Sequence, residues 1–249
     1  VRGTWRYKAL SIGLGVSVVA SIALFALQPD RNALWSIVQS RCLADDTLTD
    51  GLPPCTKVER QQGYVMIKDR KGSHHFLLLP IDKISGIEDP LLLQPSSPNY
   101  FGLAWDDRGA LSFTDDIGDD EVLLAVNSEH GRSQDQLHVH ISCTRRDVRQ
   151  ILLERESDIS DTWQILGAEL VNHVYWARRV TMDQFRQLGP FRLLAYGLPR
   201  SASDMGRFSV AVTVLNGDVI LLATERNLFD LNFASSEELQ DHECTSAGR

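Results

Sequence analysis

Apolar residues are distributed along the chain in two distinct ways. Residues 9–27 form one uncharged stretch, ALSIGLGVSVVASIALFAL. As a helix this stretch spans about 28 Å at ~1.5 Å per residue, close to the hydrocarbon thickness of a bilayer. Arg2, Arg6 and Lys8 precede it together with Trp5 and Tyr7, and the following Gln28, Pro29, Asp30 and Arg31 carry no net charge. The asymmetry predicts a single-pass membrane helix with residues 1–8 cytoplasmic and residues 30–249 on the exported side. A cleaved secretory signal is the rival reading, but its apolar core is usually about 7–15 residues.

Beyond residue 30 the apolar runs are short. Residues 30–41 carry Leu34, Ile37 and Val38 at helical spacing. Residues 64–68 and 75–79 are β-rich and predict a hairpin across a loop containing Gly72. Residues 90–105, interrupted by Pro95 and Pro98, predict a short helix. Residues 121–127 and 136–143 read as strands, residues 144–155 as a helix through Val148, Ile151 and Leu152, and residues 163–180 as mostly strand. Thr181 and Gln184 form a capping-box pattern opening a helix that is expected to stop at Gly189-Pro190. Residues 208–224 give a hairpin over Asn216-Gly217, and Ser235 with Glu238 starts a last short helix. No internal repeat is visible. Antiparallel strands punctuated by separate helices predict an α+β fold.

The chain has 249 residues, 43% hydrophobic and 23% charged, enough for one sizeable domain or two small ones. The formal charge of -8 argues against a nucleic-acid partner, which calls for a basic stripe. Four cysteines, Cys42, Cys55, Cys143 and Cys244, suit disulfides on the exported side. Cys42–Cys55 with Cys143–Cys244 is the preferred pairing of the three possible. Zinc is the rival use, without any Cys-x-x-Cys pair to support it.

The chemistry concentrates in residues 136–143, Gln-Leu-His-Val-His-Ile-Ser-Cys. As a strand this places Gln136, His138, His140 and Ser142 on one face, with the two imidazoles about 7 Å apart. Such a pair fits a half-exposed strand, a metal site completed by His74, His75, His130, His173 or His242, or nucleophilic catalysis at phosphorus.

Two blocks decide between these readings. One is His75-Phe76-Leu77-Leu78-Leu79-Pro80 with Lys83-Ile84-Ser85; the other runs from Asn127 through Gly131, Arg132 and Ser133 to His138-Val139-His140. They resemble the histidine triad superfamily of nucleotide hydrolases and transferases, in which the middle histidine of His-x-His-x-His is the nucleophile. With Ala177-Arg178-Arg179-Val180 and residues 222–228 added, the chain looks like the bacterial CDP-diacylglycerol pyrophosphatase family along nearly its whole length.

The resemblance implies an antiparallel sheet with flanking helices of histidine triad-like type over residues 63–249, preceded by a linker and short helix with the disulfide loop over 28–62. It implies hydrolysis of CDP-diacylglycerol at the membrane through a CMP-histidine intermediate, with neither cofactor nor metal. A triad-type enzyme acting on soluble nucleotide diphosphates is the alternative. Gln136 takes the place of the first histidine, so His138 inherits the nucleophile's role and His140 contacts the phosphate or the leaving oxygen. His75, Asn127, Ser133 and Gln136 are expected to bind substrate, or, in the case of Gln136, to orient the imidazole through its amide. A register shifted by two would make His140 the nucleophile, but Asn127, Gly131 and Ser133 agree with the first register.

Overall fold

The computed structural model describes residues 30–44, 52–113 and 117–245. The expected membrane segment, residues 9–27, lies outside the described residues; among those described, no helix is long and apolar enough to cross a membrane.

One antiparallel sheet organises these residues. Its strands are β1 (Cys55–Glu59), β2 (Tyr64–Lys68), β3 (Phe76–Pro80), β4 (Val122–Val126), β5 (Val139–Thr144), β6 (Gln164–Leu170), β7 (His173–Val180), β8 (Phe208–Leu215) and β9 (Asp218–Glu225). Their order across the sheet is β1-β2-β3-β5-β4-β8-β9-β7-β6, with a two-residue β10 (Gln240–Asp241) pairing β5. Leaving β1 aside, that order is a palindrome about the β4–β8 pair. Each half consists of a hairpin, a helix and a second hairpin: β2–β3, α2 (Tyr100–Asp106) and β4–β5, then β6–β7, α4 (Met182–Gly197) and β8–β9.

Period-2 alternation sends the side chains of each strand to two faces. On one face, Tyr64, Leu78, Leu124, Ile141, Val212 and Leu221 pack beneath α2 and α4. The other face carries two separate clusters. Val65, Leu77 and Leu79 pack under α1 (Ala33–Ile37) and the π-turn Val38–Cys42 that continues it. Leu123, Ala125, Ala211 and Leu222 pack under Val148 and Leu152 of α3 (Arg146–Glu154). The histidine-bearing part of β5 lies on this second face, between the two clusters.

The 208–224 hairpin forms as expected, with Asn216 and Gly217 both at positive φ in the turn. The capping box on α4 also forms: Thr181 Oγ1 accepts from Gln184 N at 3.1 Å, and Gln184 Oε1 accepts from Thr181 N at 3.0 Å. The helix breaks where expected, at Gly189 with φ 71, but a second helical stretch then starts at Pro190 and runs on to Gly197. Pro190 has no N–H to offer the preceding turn. Asn99 fills the gap, donating from Nδ2 to Phe185 O (2.8 Å) and Arg186 O (3.2 Å). Its Oδ1 meanwhile caps α2 by accepting from Gly102 N.

Two elements differ from expectation. Strand β1 was not foreseen, because Thr56, Lys57, Val58 and Glu59 are largely half-exposed and lack a β-rich pattern. The strand expected over 136–143 begins only at Val139. Gln136 and Leu137 are pulled onto the loop after β3, with Leu137 N donating to Ile84 O at 2.6 Å.

The disulfides join Cys42 to Cys55 and Cys143 to Cys244, the pairs preferred from the sequence. The first fastens the π-turn after α1 to β1, and the second fastens the chain after β10 to β5.

Candidate active site

Four imidazoles converge on the second face. His140 stands on β5, His138 immediately precedes that strand, His75 immediately precedes β3, and His242 immediately follows β10. Cross-strand pairing of Leu77 with His140 brings the start of β3 beside the histidine strand. His75 Nε2 and His140 Nδ1 then meet at 2.9 Å. His242 lies against His75 with ring centroids 3.7 Å apart, and His138 meets His140 edge-on at 4.7 Å.

The face is closed over: His138 is 8% exposed and His140 4%. Burial penalises the charged imidazole and lowers its pKa. It pulls His75 down to about 4, helped by the neighbouring His242. Burial is also the first cause at His140, which falls well below the ordinary value, with His138, His75 and His242 adding repulsion. His138 is lowered by burial too, against a backbone hydrogen bond and the charge of Glu237, both of which favour its protonated form. Burial thus pushes all three toward the neutral imidazole.

His138 has one defined tautomer. Its Nδ1 lies 2.6 Å from the carbonyl oxygen of Gln136. A carbonyl only accepts, so Nδ1 carries the proton and Nε2 keeps its lone pair. That Nε2 has no hydrogen-bond partner among the described residues.

The carbonyl is held in turn by the Gln136 side chain, and here the expectation is corrected. The Gln136 amide does not face the imidazole. Its Nε2 donates to Pro80 O, buried at the end of β3, and to Asp82 O in the loop that follows, both at 3.0 Å. Gln136 thus orients His138 through its backbone, with its own side chain committed to bracing the loop. Ser133 is exposed on the loop between β4 and β5. Next to it, the buried Arg132 pins that loop through Glu88 (2.7 and 2.8 Å) and Asp135 (3.2 Å).

Asn127 follows β4 and reaches the cluster. Its Nδ2 is 3.4 Å from His140 Nε2 and donates to Glu237 Oε2 at 3.0 Å, and its Oδ1 accepts from Glu237 N at 3.1 Å. Glu237 Oε2 lies 3.5 Å from His140 Nε2, and Glu237 Oε1 lies 3.9 Å from His242 Nε2. On the far side, Asp69 is 3.9 Å from His75 Nδ1. Arg178 and Arg179 take no part: Arg178 donates to Asp161 O, and Arg179 pairs with Asp218 at 2.5 Å.

His75, His140 and Glu237 offer ligand atoms within 4.8 Å of one another, a spacing able to hold a metal ion. Two of those three residues already face each other at hydrogen-bond distance.

Glu237 escaped the sequence reading altogether, and His242 entered only as one of five possible metal ligands. Both arrive on the C-terminal segment, which runs along the site loop. Ala234 O accepts from Ser128 N at 3.0 Å, and a Cβ on Gly131 would come within 2.7 Å of that same oxygen. His242 O accepts from His74 N at 2.9 Å. The available signal was the second disulfide. Cys143 lies three residues after His140, and Cys244 two after His242, so the bond brings the two histidines together.

Comparison with known proteins adds independent information. The model of the CDP-diacylglycerol pyrophosphatase family matches residues 29–248. A CDP-diacylglycerol pyrophosphatase of Yersinia pestis is 40% identical over 243 residues, covering 96% of this chain and 94% of that protein. Among solved structures, the crystal structure of a DUF4931 family protein from Bacillus cereus aligns over 66% of this chain and 82% of that one, with a TM-score of 0.44 and 11% identity.

Proposed function

The chain belongs to the CDP-diacylglycerol pyrophosphatase family, and we propose that it hydrolyses CDP-diacylglycerol to CMP and phosphatidate through a covalent CMP adduct on His138. The observation that carries this reading is the His138 tautomer: Nδ1 fixed on a carbonyl at 2.6 Å, with Nε2 unprotonated and free.

In the first step Nε2 attacks the phosphorus of the CMP moiety. A nitrogen–phosphorus bond forms, the bond to the bridging oxygen breaks, and phosphatidate leaves with that oxygen. The ring becomes positively charged, and the Nδ1–H to Gln136 contact strengthens into a charge-assisted hydrogen bond. Water then attacks the same phosphorus and gives up a proton, the nitrogen–phosphorus bond breaks, and CMP departs with His138 neutral again.

His140 and Asn127 border the phosphate on the strand side, and Ser133 on the loop side supplies a hydroxyl donor. His75 acts at one remove, holding His140 by the 2.9 Å contact. Burial serves the mechanism directly, since the nucleophile must be unprotonated and each imidazole here is pushed toward its neutral form.

The placement is part of the proposal. A substrate with two acyl chains stays in the bilayer, and residues 9–27 would tether the catalytic domain beside it, N-terminus inside and residues 30–249 exported from the bacterial inner membrane. Two disulfides are at home in that oxidising space. The test is His138→Ala, expected to cut CMP release by at least about three orders of magnitude while leaving the thermal melt intact. Retained turnover in the variant would end the assignment.

A further inference from the structure

The segment that delivers Glu237 to the site first makes a detour. Residues 228–233 read Leu-Phe-Asp-Leu-Asn-Phe. They form a 3-10 turn, Leu228–Asp230, closed at its neck by two backbone hydrogen bonds between Asn227 and Asn232, each 2.9 Å. Asn227 Oδ1 accepts from Phe229 N at 3.1 Å and stiffens the turn from within. The neck is anchored by Asn232, which is buried and donates to Thr224 Oγ1 at 2.8 Å.

This well-braced loop turns its apolar side chains outward. Phe229 is 99% exposed and Leu231 75%, with Leu228 and Phe233 about half exposed. Exposed apolar residues scattered singly are ordinary, but four within one short loop mark an interaction site.

Its position is informative. Phe233 O accepts from Ser128 Oγ at 2.6 Å, so the loop returns directly onto the β4–β5 loop that carries Ser133 and leads to His138. Beside the neck lies a cavity of about 720 Å³ whose lining includes Trp176, Arg200, Arg207, Glu225, Arg226 and Asp230. Arg200 and Arg207 rest on Glu225 (3.3 and 3.1 Å), whereas Arg226 Nε is buried with no hydrogen-bond partner among the described residues.

We propose that loop 228–233 is the bilayer-docking element of the enzyme. Phe229 and Leu231 enter the interfacial layer of the bilayer. A braced loop that turns Phe and Leu side chains into solvent is a composition that settles at a membrane interface. A bilayer fits better than a protein partner because the neighbouring site takes a substrate already embedded in one. This rests on the lipid-nucleotide reading above and adds how such a substrate is presented.

The test uses the full chain and two substrates: CDP-diacylglycerol in vesicles of phosphatidylcholine and phosphatidylglycerol, and water-soluble CDP-glycerol. The double variant Phe229→Glu with Leu231→Glu is expected to lose about tenfold or more on vesicles, with its CDP-glycerol rate held within about twofold. An unchanged vesicle rate, or equal losses on both substrates, overturns the proposal. Separately, Phe229→Trp should add fluorescence that brominated phosphatidylcholine in the vesicles quenches, beyond any quenching of the unsubstituted chain; no added quenching overturns it. This second readout decides the matter even if the unsubstituted chain turns over neither substrate, an outcome that would sink the hydrolase reading and not the docking loop. A dimer that sedimentation detects and the double variant dissolves would assign the loop to a second copy and likewise overturn bilayer docking.

Discussion

In the first half of the sheet, β4 and β5 are joined by residues 127–138, which carry Asn127, Gly131, Ser133 and His138; in the second half, β8 and β9 are joined by Asn216 and Gly217 alone. The strand path is otherwise the same. One row of paired residues crosses both halves: Leu77, His140, Ala125, Ala211, Leu222 and Ala177 lie side by side. Leu222 therefore stands where the mirror image of His140 would be, packed in the core beneath α3. Repeated topology supplies a scaffold twice, but on the proposed mechanism only the half with the long loop presents a nucleophile at the strand's end. The second half has traded that loop for a two-residue turn and filled the histidine row with apolar packing.

The comparison can be broken from either side. If the second half is scaffold, Leu222→Ala should cost about 2–5 kcal/mol of stability and leave turnover per folded molecule unchanged. A selective loss of kcat with an intact melt would show that the halves share the chemistry. The C-terminal segment packs on both halves but delivers Glu237 and His242 to the first, clamped by Cys143–Cys244 across a separation of 101 residues. Cys244→Ser should remove about 2–4 kcal/mol of stability and lower activity in the molecules that remain folded, because Glu237 and His242 lose their tether. Comparing activity with melting across a reductant series reads both effects, and full activity in folded Cys244→Ser would detach that segment from the site.

A smaller effect is expected from Glu237→Gln. It keeps the packing and the Asn127 contacts but removes a charge that favours protonated His138. Activity at pH 7 should fall about tenfold, the size expected from loosening one charge-assisted contact. The pH profile should shift in a defined direction. On the proposed mechanism the acid limb of kcat/KM is expected below the ordinary histidine value, because burial lowers the His138 pKa and activity would disappear as pH falls through it. Without the Glu237 charge that pKa drops further, so the limb moves to still lower pH; movement toward higher pH would contradict the assignment.

Much of the architecture was readable because it rests on local signals. Asn216-Gly217, the Thr181–Gln184 box, the glycine break at 189 and the β-rich run of residues 64–68 each announce an element through its own chemistry. What escaped depends on distant partners. β1 exists because β2 offers it an edge, and the helical stretch after Pro190 survives because Asn99, far away in sequence, satisfies the carbonyls that proline abandons. The palindromic strand order leaves no sequence echo, since the second half kept only its apolar pattern. The same division holds in the site. His138 and His140 were visible from strand alternation, His75 and Asn127 from the family resemblance, and the four do converge, whereas Glu237 comes from a segment whose position is set by the second disulfide. Gln136 was noticed for its side chain but positions His138 through its carbonyl, a role no residue identity encodes.

The most direct test of the central claim is to quench the reaction on a CDP-diacylglycerol labelled in the CMP phosphate and to map the label by peptide mass spectrometry. The account predicts a CMP adduct on the peptide containing residue 138, located at His138 and absent from His138→Ala. Label on His140 with none on His138, or turnover with no trapped adduct at any histidine, would contradict it.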